Sequence, residues 1–250
     1  LTFAGCDVTE LAAEYGTPLM LLDEERIRER CRLYKSAFAK HFPEGSTPLY
    51  AGKALSFKRL VAIMAEEGMG LDVVSPGELY TAVKAGYPME NAYFHGNGKT
   101  DDEISFAMNE HMGHFVCDNA AELEAIEKEA GRRRIVQKIL LRVTPGIDPH
   151  THEKINTGRI DSQFGTPIEN GQAKELLEKA LSIEHVAVSG FHCHIGSQIF
   201  DPSPFNDAAT CMLDFIFQMK NELGYECETL NLGGGPGVPY VESDPKIDYE

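Results

Sequence analysis

Three sets of residues have types and spacings suited to chemistry, and the first is a single lysine. Lys53 follows the apolar run 49–51 in the segment YAGKA. A lysine at a strand end is usually solvated, but small neighbours can desolvate its amine. A desolvated amine has a lowered pKa and can form a Schiff base with a carbonyl group, which makes Lys53 a candidate nucleophile.

The second set is the pair of histidines in the segment HCH, close to the end of the apolar run 186–195. Alternation along a strand places His192 and His194 on one face and Cys193 on the other. Two imidazoles so placed can bind zinc with a third ligand, or one of them can lie flat against a cofactor ring. Ser197 follows shortly after and supplies a hydroxyl group.

The third set is the run Gly233, Gly234 and Gly235, directly after the apolar segment 229–232. Glycines permit positive φ and let backbone N–H groups approach a phosphate closely. Many strand ends carry glycine turns, so the run alone is a weak signal. It gains weight after the seventh strand of a barrel, where phosphate sites commonly form.

Two charged residues interrupt predicted strands. Asp72 lies inside the run 71–75 and either faces a barrel interior, where it needs a partner, or faces outward. Arg142 follows two leucines in the run 138–144. An arginine so placed is rarely buried without an anion or a polar partner, so Arg142 is a candidate ligand for a negatively charged group.

Strand-like and helix-like segments alternate along the chain, which predicts β-α units and a parallel sheet. A doubly wound sheet is one solution. Seven successive units without a reversal of order favour an α/β fold of the (β/α)8 TIM-barrel type, with about seven of its eight strands present. The predicted strands are 49–51, 71–75, 92–96, 114–118, 138–144, 186–195 and 229–232.

Several helix starts have capping signatures. Ser75 precedes Pro76 and lies three residues before Glu78, and Thr100 lies three residues before Glu103. These patterns predict helices that begin after the two hydroxyl residues. Ser203-Pro204 predicts another helix start. In the first long helix the apolar residues fall on one face; they are Ile27, Cys31, Tyr34, Phe38 and Phe42.

The composition of the chain disfavours several classes of partner and location. The 250 residues carry a net charge of −16, which disfavours nucleic acid and anionic membranes as partners. The apolar runs are too short for a transmembrane helix. Six cysteines without a C-x-x-C motif, and no signal peptide, predict a reduced, cytoplasmic protein. Leu1 and Glu250 do not resemble natural termini, so we expect a fragment.

A Schiff-base lysine, a stacking histidine and a phosphate cradle together indicate pyridoxal 5'-phosphate as cofactor. The sequence resembles the fold-type III pyridoxal-phosphate-dependent decarboxylases over nearly its whole length. The segment at 150–165 favours the diaminopimelate branch over the ornithine decarboxylases. The segments that carry the resemblance are YAGKALS (50–56), GLDVVSPGEL (70–79), FHGNGKT (94–100), LRVTPG (141–146), HTHEKINTGRIDSQFG (150–165), GFHCHIGSQI (190–199) and LNLGGGPG (230–237).

The resemblance implies a role for each candidate residue, with no metal. Lys53 binds the cofactor as a Schiff base and His194 stacks on the pyridine ring. Asp72 and Arg142 line the cofactor site near the ring and the Schiff base. The phosphate is bound by Ser197, Gly233, Gly234 and Gly235. Three further residues are second-tier candidates, with a weaker case for a place in this site: His192, Asn97 and Lys99.

The resemblance also implies an architecture. Residues 1–23 form an N-terminal segment that the family associates with a β domain, and residues 24–250 form an alanine-racemase-like barrel, incomplete at its C-terminal end. We expect the C-terminal β domain to be absent from this chain, together with an eighth strand whose glutamate pairs with the pyridine nitrogen. The catalytic cysteine that the family uses as proton donor is expected in the same absent part.

The implied activity is the decarboxylation of meso-2,6-diaminoheptanedioate to L-lysine and carbon dioxide, a step of lysine biosynthesis. The implied ligand is a small amino-acid substrate, and the implied assembly is a homodimer. The first alternative is another enzyme of this fold, such as a carboxynorspermidine, arginine or ornithine decarboxylase or a racemase. The second is a zinc-dependent barrel hydrolase that uses His192 and His194. The third is a truncated barrel that binds the cofactor, or nothing, without turnover.

Overall fold

Short apolar segments form the strands, and amphipathic segments between them form the helices. The computed structural model describes residues 1–147 and 163–245. Its strands are β1 (Thr2–Phe3), β2 (Cys6–Asp7), β3 (Leu49–Ala51), β4 (Gly70–Val73), β5 (Ala92–Phe94), β6 (His114–Cys117), β7 (Gln137–Thr144), β8 (Thr166–Pro167), β9 (Val186–His192) and β10 (Thr229–Asn231). Its helices are α1 (Val8–Tyr15), α2 (Glu24–His41), α3 (Lys58–Glu66), α4 (Pro76–Ala85), α5 (Asp101–Asn109), α6 (Ala120–Arg133), α7 (Gln172–Leu181) and α8 (Ser203–Leu223), with 3₁₀ turns at Gly52–Ala54 and Met89–Asn91.

Seven strands lie side by side in the order β3, β4, β5, β6, β7, β9, β10, and every neighbouring pair is parallel. A doubly wound sheet would reverse its strand order at some point, and this sheet does not. The observed order is that of a (β/α)8 barrel, so the predicted barrel with seven of its strands is confirmed. Within the described residues β3 and β10 form the two edges, and the short β8 pairs with the end of β7.

The strand register separates a face of large apolar residues from a face that carries both polar and apolar residues. Paired residues point to the same side of a sheet, so Phe94, Phe115 and Phe191 share the face that packs against the helices. Phe191 contacts Phe215 of α8 at 5.1 Å between ring centroids, edge to face. Most of the fully buried core therefore lies between the sheet and the helices, while the other face carries polar residues such as Arg142 together with the buried Val116 and Leu140.

The predicted helix starts are largely confirmed. The Ser75 hydroxyl accepts from the Glu78 backbone N–H, and Pro76 occupies the first turn of α4. Thr100 and Glu103 form a complete capping box at α5. Helix α8 begins at Ser203 as predicted, but that residue already lies inside the helix, and the Asp201 carboxylate accepts its backbone N–H instead.

The N-terminal part holds more structure than the sequence patterns predicted. A hairpin of β1 and β2 precedes α1, and neither was expected. The apolar face of α2 is confirmed at Cys31, which is buried, but Phe42 lies just after the helix end and is 49% exposed. Residues 148–162, which include most of the segment 150–165 that carries the resemblance, lie outside the described residues. No helix in the described part of the chain is long and apolar enough to cross a membrane.

Candidate active site

All eight cofactor-site residues that the sequence suggests line one cavity at the carboxyl ends of the barrel strands. The cavity has a volume of about 2510 Å³ and also reaches the inner face of α2. Its size exceeds that of a usual ligand pocket, because the sheet is open between β3 and β10. The eight residues are Lys53, Asp72, Arg142, His194, Ser197, Gly233, Gly234 and Gly235.

Lys53 lies in the 3₁₀ turn that follows β3 and is exposed. The expectation that small neighbours desolvate its amine is therefore wrong for the described residues. The turn packs closely on the next unit, since a Cβ atom at Gly52 would lie 2.8 Å from the Asp72 carbonyl oxygen and 3.0 Å from Glu78 Oε2. Gly52 thus allows the turn to hold Lys53 at the mouth of the barrel, where an aldehyde can reach it.

Asp72 faces the barrel interior, and the outward alternative is excluded. Its register partner in β5 is Tyr93, on the polar face of the sheet. Its Oδ1 atom lies 3.1 Å from His95 Nε2, so a histidine is the nearest candidate partner for this carboxylate. Sequence reasoning missed His95, although alternation from Tyr93 places His95 on that same face.

His192 and His194 lie at the end of β9, and both imidazoles are held neutral. Burial, with the nearby positive groups, holds the pKa of His192 well below its usual range. Burial lowers the pKa of His194 to about 3, with Lys53 and Arg142 adding to the effect. A neutral imidazole can stack on an aromatic cofactor ring without adding a charge beside it.

The zinc alternative needs a third ligand near the two histidines. Within residues 1–147 and 163–245, no group of three or more His, Cys, Asp or Glu side chains could hold a metal ion. His192 instead packs edge-on against His95, with ring centroids 4.8 Å apart. The described site therefore gives the hydrolase interpretation no support.

The glycine run forms a tight loop against the turn after β9. Gly235 has a φ of +110°, and a Cβ atom there would lie 2.0 Å from the Gly196 carbonyl oxygen. The Gly233 N–H donates to Asn231 Oδ1 at 2.8 Å, so it is not free for a ligand. A Cβ atom at Gly234 would meet nothing within 4 Å. The loop therefore offers an open, glycine-lined backbone surface beside the exposed Ser197, which suits a phosphate group.

Arg142 is 8% exposed and has the polar partner that its position in β7 predicted. Its Nε atom lies 3.8 Å from Asp118 Oδ1, and its guanidinium carbon lies 4.4 Å from the centre of the Phe164 ring. Asp118 Oδ1 also accepts the Gly165 N–H at 3.1 Å. Burial raises the pKa of Asp118, and Arg142 opposes that shift. Asp118 was not among the predicted site residues.

The second-tier candidates separate into two groups. His192 and Asn97 line the cavity, and the Asn97 amide donates to the Gln163 carbonyl oxygen at 3.3 Å. Lys99 is absent from the cavity lining and is buried against Glu122 instead. Lys99 is therefore a structural residue rather than a ligand-binding one.

A parallel barrel with an accessible lysine, a neutral histidine and a glycine cradle around one cavity defines a pyridoxal-phosphate-binding barrel. Residues 24–250 match the family model described as "Pyridoxal-dependent decarboxylase, pyridoxal binding domain". The chain belongs to this family, and its cofactor is pyridoxal 5'-phosphate. The boundary between residues 1–23 and 24–250 as two structural units stays a prediction.

The chain is similar to proteins named diaminopimelate decarboxylase. It is 45% identical to the Bacillus methanolicus enzyme of that name over 247 residues, which are 99% of this chain and 57% of that protein. It is 42% identical to the Bacillus subtilis enzyme over 250 residues, 99% of this chain and 56% of that protein. The crystal structure of diaminopimelate decarboxylase from M. jannaschii with L-lysine superposes with a TM-score of 0.87 at 38% identity, and covers 96% of this chain and 56% of that one. The chain thus spans between half and two thirds of the length of these relatives.

Proposed function

We propose that the protein carrying this chain decarboxylates meso-2,6-diaminoheptanedioate to L-lysine and carbon dioxide, in lysine biosynthesis. The observation that carries the proposal is the arrangement of Lys53, His194 and the glycine loop around one cavity. This is the residue set that a pyridoxal-phosphate enzyme needs, and relatives with the same barrel bear the diaminopimelate decarboxylase name.

Pyridoxal 5'-phosphate, when bound, supplies an electron sink that stabilises the negative charge left when a carboxylate departs. In this chain Lys53 is the amine that would hold the cofactor by its aldehyde carbon. His194 would pack its neutral ring against the pyridine ring. Ser197 and the backbone of Gly234 and Gly235 would bind the phosphate, and Gly233 would shape that loop rather than donate to the ligand.

Arg142 and Asp72 contribute opposite charges to the interior of the same cavity. Arg142 is held between Asp118 and the Phe164 ring, so its guanidinium has little freedom. A fixed cation can orient an anionic group without paying the entropy of ordering a long side chain. Asp72 would act beside the amine of Lys53, near the position where the cofactor is attached.

Substrate choice is the finer part of the proposal. The relatives at 42–45% identity and the superposed structure with L-lysine support the diaminopimelate branch. A carboxynorspermidine, arginine or ornithine decarboxylase with the same barrel is the alternative, because the residues that hold the cofactor do not select the distal end of a substrate.

Assembly and location follow as proposals of the same kind. A homodimer is supported by the resemblance, in which a cysteine of the second subunit supplies the proton to the product. A cytoplasmic location is supported by the six cysteines of the chain, all of which are free thiols.

Reduction with borohydride, followed by peptide mapping, tests cofactor attachment, and an assay of products tests the substrate. We expect the reduced cofactor on the peptide that contains Lys53, no label in Lys53→Ala, and lysine formed from diaminoheptanedioate. Label elsewhere would overturn the site assignment. Label on Lys53 with a polyamine product, and no lysine, would instead support the alternative decarboxylases.

A further inference from the structure

Asp72 in β4 and His95, directly after β5, each carry a buried polar atom that faces the other residue. Asp72 Oδ1 and His95 Nε2 are 3.1 Å apart, and His95 is 8% exposed. Neither atom has a hydrogen-bonding partner of good geometry among the described residues. Leaving two such groups unsatisfied is costly, and a small rotation of the imidazole would satisfy both at once.

The surroundings of this pair restrict what each member can do. His95 meets the buried ring of His192 edge to face, at 4.8 Å between centroids and an interplanar angle of 76°. This contact limits the His95 ring to small rotations. The backbone N–H of His95 donates to the Val73 carbonyl oxygen at 2.8 Å, which continues the ladder between the strands and fixes the base of the side chain.

The charged and titratable groups around Asp72 come from several elements. The cavity wall that contains Asp72 also contains Lys53, Tyr93, Arg142 and His194. After burial, the negative charge of Asp72 is the largest cause that raises the pKa of Tyr93. Tyr93 therefore does not compete as a charged partner, whereas the imidazole of His95 lies within hydrogen-bonding distance.

We propose that His95 is a positioning residue that donates its Nε2–H to Asp72 and holds that carboxylate toward Lys53 at the barrel mouth. His192, which is neutral and buried, packs against the His95 ring and limits its movement. This inference rests on the proposed function, because the held carboxylate matters only if the cofactor is attached at Lys53.

The hydrogen bond can be observed without cofactor or substrate. In the protein that carries this chain, labelled with ¹⁵N-histidine, we expect a slowly exchanging Nε2 proton, assigned to His95 by its loss in His95→Gln. The signal should disappear in Asp72→Ala, with the fold checked by circular dichroism. A signal that survives in folded Asp72→Ala, or no His95 signal in the parent chain, would overturn the proposal.

Kinetics on the protein that carries this chain give the second readout. His95→Phe keeps an aromatic edge against His192 but has no donor, and we expect kcat to fall about tenfold with KM changed less than twofold. His95→Gln can still donate an N–H and should retain most of the parent kcat. Equal losses in both variants would overturn the proposal. If the parent protein forms no lysine, the proposed function fails, while the NMR result still decides the Asp72–His95 bond.

Discussion

Lys99 Nζ lies 2.7 Å from Glu122 Oε1, with the two side chains only 2% and 4% exposed. The same ammonium donates to the carbonyl oxygens of Gly96, at 2.9 Å, and Val116, at 3.0 Å. It therefore joins the end of β5, the strand β6 and the first turn of α6. Burial raises the pKa of Glu122, and Lys99 opposes that shift. The pair connects three elements directly behind the cavity wall.

Removing one member of this pair should destabilise the chain strongly. Lys99→Met leaves Glu122 buried without its counter-charge, and we expect a loss of about 3 to 5 kcal/mol in the free energy of unfolding. The double variant Lys99→Met with Glu122→Gln should be less destabilised than the sum of the two single variants. Urea unfolding of the four proteins measures both quantities. Additive losses would show that the two groups are not coupled.

The close approach of Gly235 to Gly196 makes the glycine loop sensitive to one methyl group. A Cβ atom at Gly235 would lie 2.0 Å from a backbone oxygen, at a φ that side chains rarely adopt. We expect Gly235→Ala to displace the loop and to weaken cofactor binding at least tenfold, measured by titration with pyridoxal phosphate. Gly77→Ala in α4 is the matched control, because its nearest neighbour would be 3.9 Å away. Equal affinity in both variants would contradict the tight loop.

The sequence predicted the strands well, because each is a short apolar run bounded by polar or glycine-rich segments. The predicted run 49–51 matches β3, and Lys138–Thr144 is one residue shorter than β7. The runs 71–75 and 186–195 extend beyond the ends of β4 and β9. Of the extra residues, Val74 and His194 line the cavity, and periodicity alone cannot show at which residue a strand ends.

The sequence predicted the site residues that would act through their own side chains, and it missed those that act by contacting another site residue. Lys53 and His194 were predicted from their own side chains, an amine that can form a Schiff base and an imidazole that can stack on a cofactor ring. Asp118 and His95 were missed because their importance comes from contacts with Arg142 and Asp72 across the sheet, which depend on register. The exposure of Lys53 was mispredicted because an open barrel edge does not desolvate a side chain.

Arg142 should not be replaceable by lysine, although the charge is kept. The planar guanidinium stacks on Phe164, and a compact ammonium cannot reproduce that contact. We expect Arg142→Lys to lose about 1 to 2 kcal/mol of stability and to bind the cofactor several-fold more weakly. Thermal unfolding and cofactor titration measure the two effects. The charge-conserving control is Lys128→Arg, at a side chain that is 81% exposed. Unchanged affinity in Arg142→Lys would show that the stack does not shape the site.

The stability of the chain should fall as the pH drops below about 6, and His114 should account for part of that loss. The imidazole of His114 stacks on Tyr93, with ring centroids 4.6 Å apart and an interplanar angle of 7°. Burial, assisted by Lys138, lowers the pKa of His114 to about 4. Between that value and the usual histidine pKa of about 6.5 the unfolded chain binds a proton that the folded chain does not. Acidification in this window therefore favours unfolding.

His114→Phe keeps an aromatic ring against Tyr93 and removes the proton-binding site. We expect its free energy of unfolding to fall less steeply with acidification than that of the parent, by up to about 1.4 kcal/mol per pH unit between about pH 6 and pH 4.5. Above about pH 7.5 the difference between the two proteins should be constant, because the unfolded imidazole is then neutral as well. Urea unfolding at several pH values measures the difference. Parallel curves across the whole range would show that His114 gains its proton equally in both states, and would contradict the neutral, stacked imidazole.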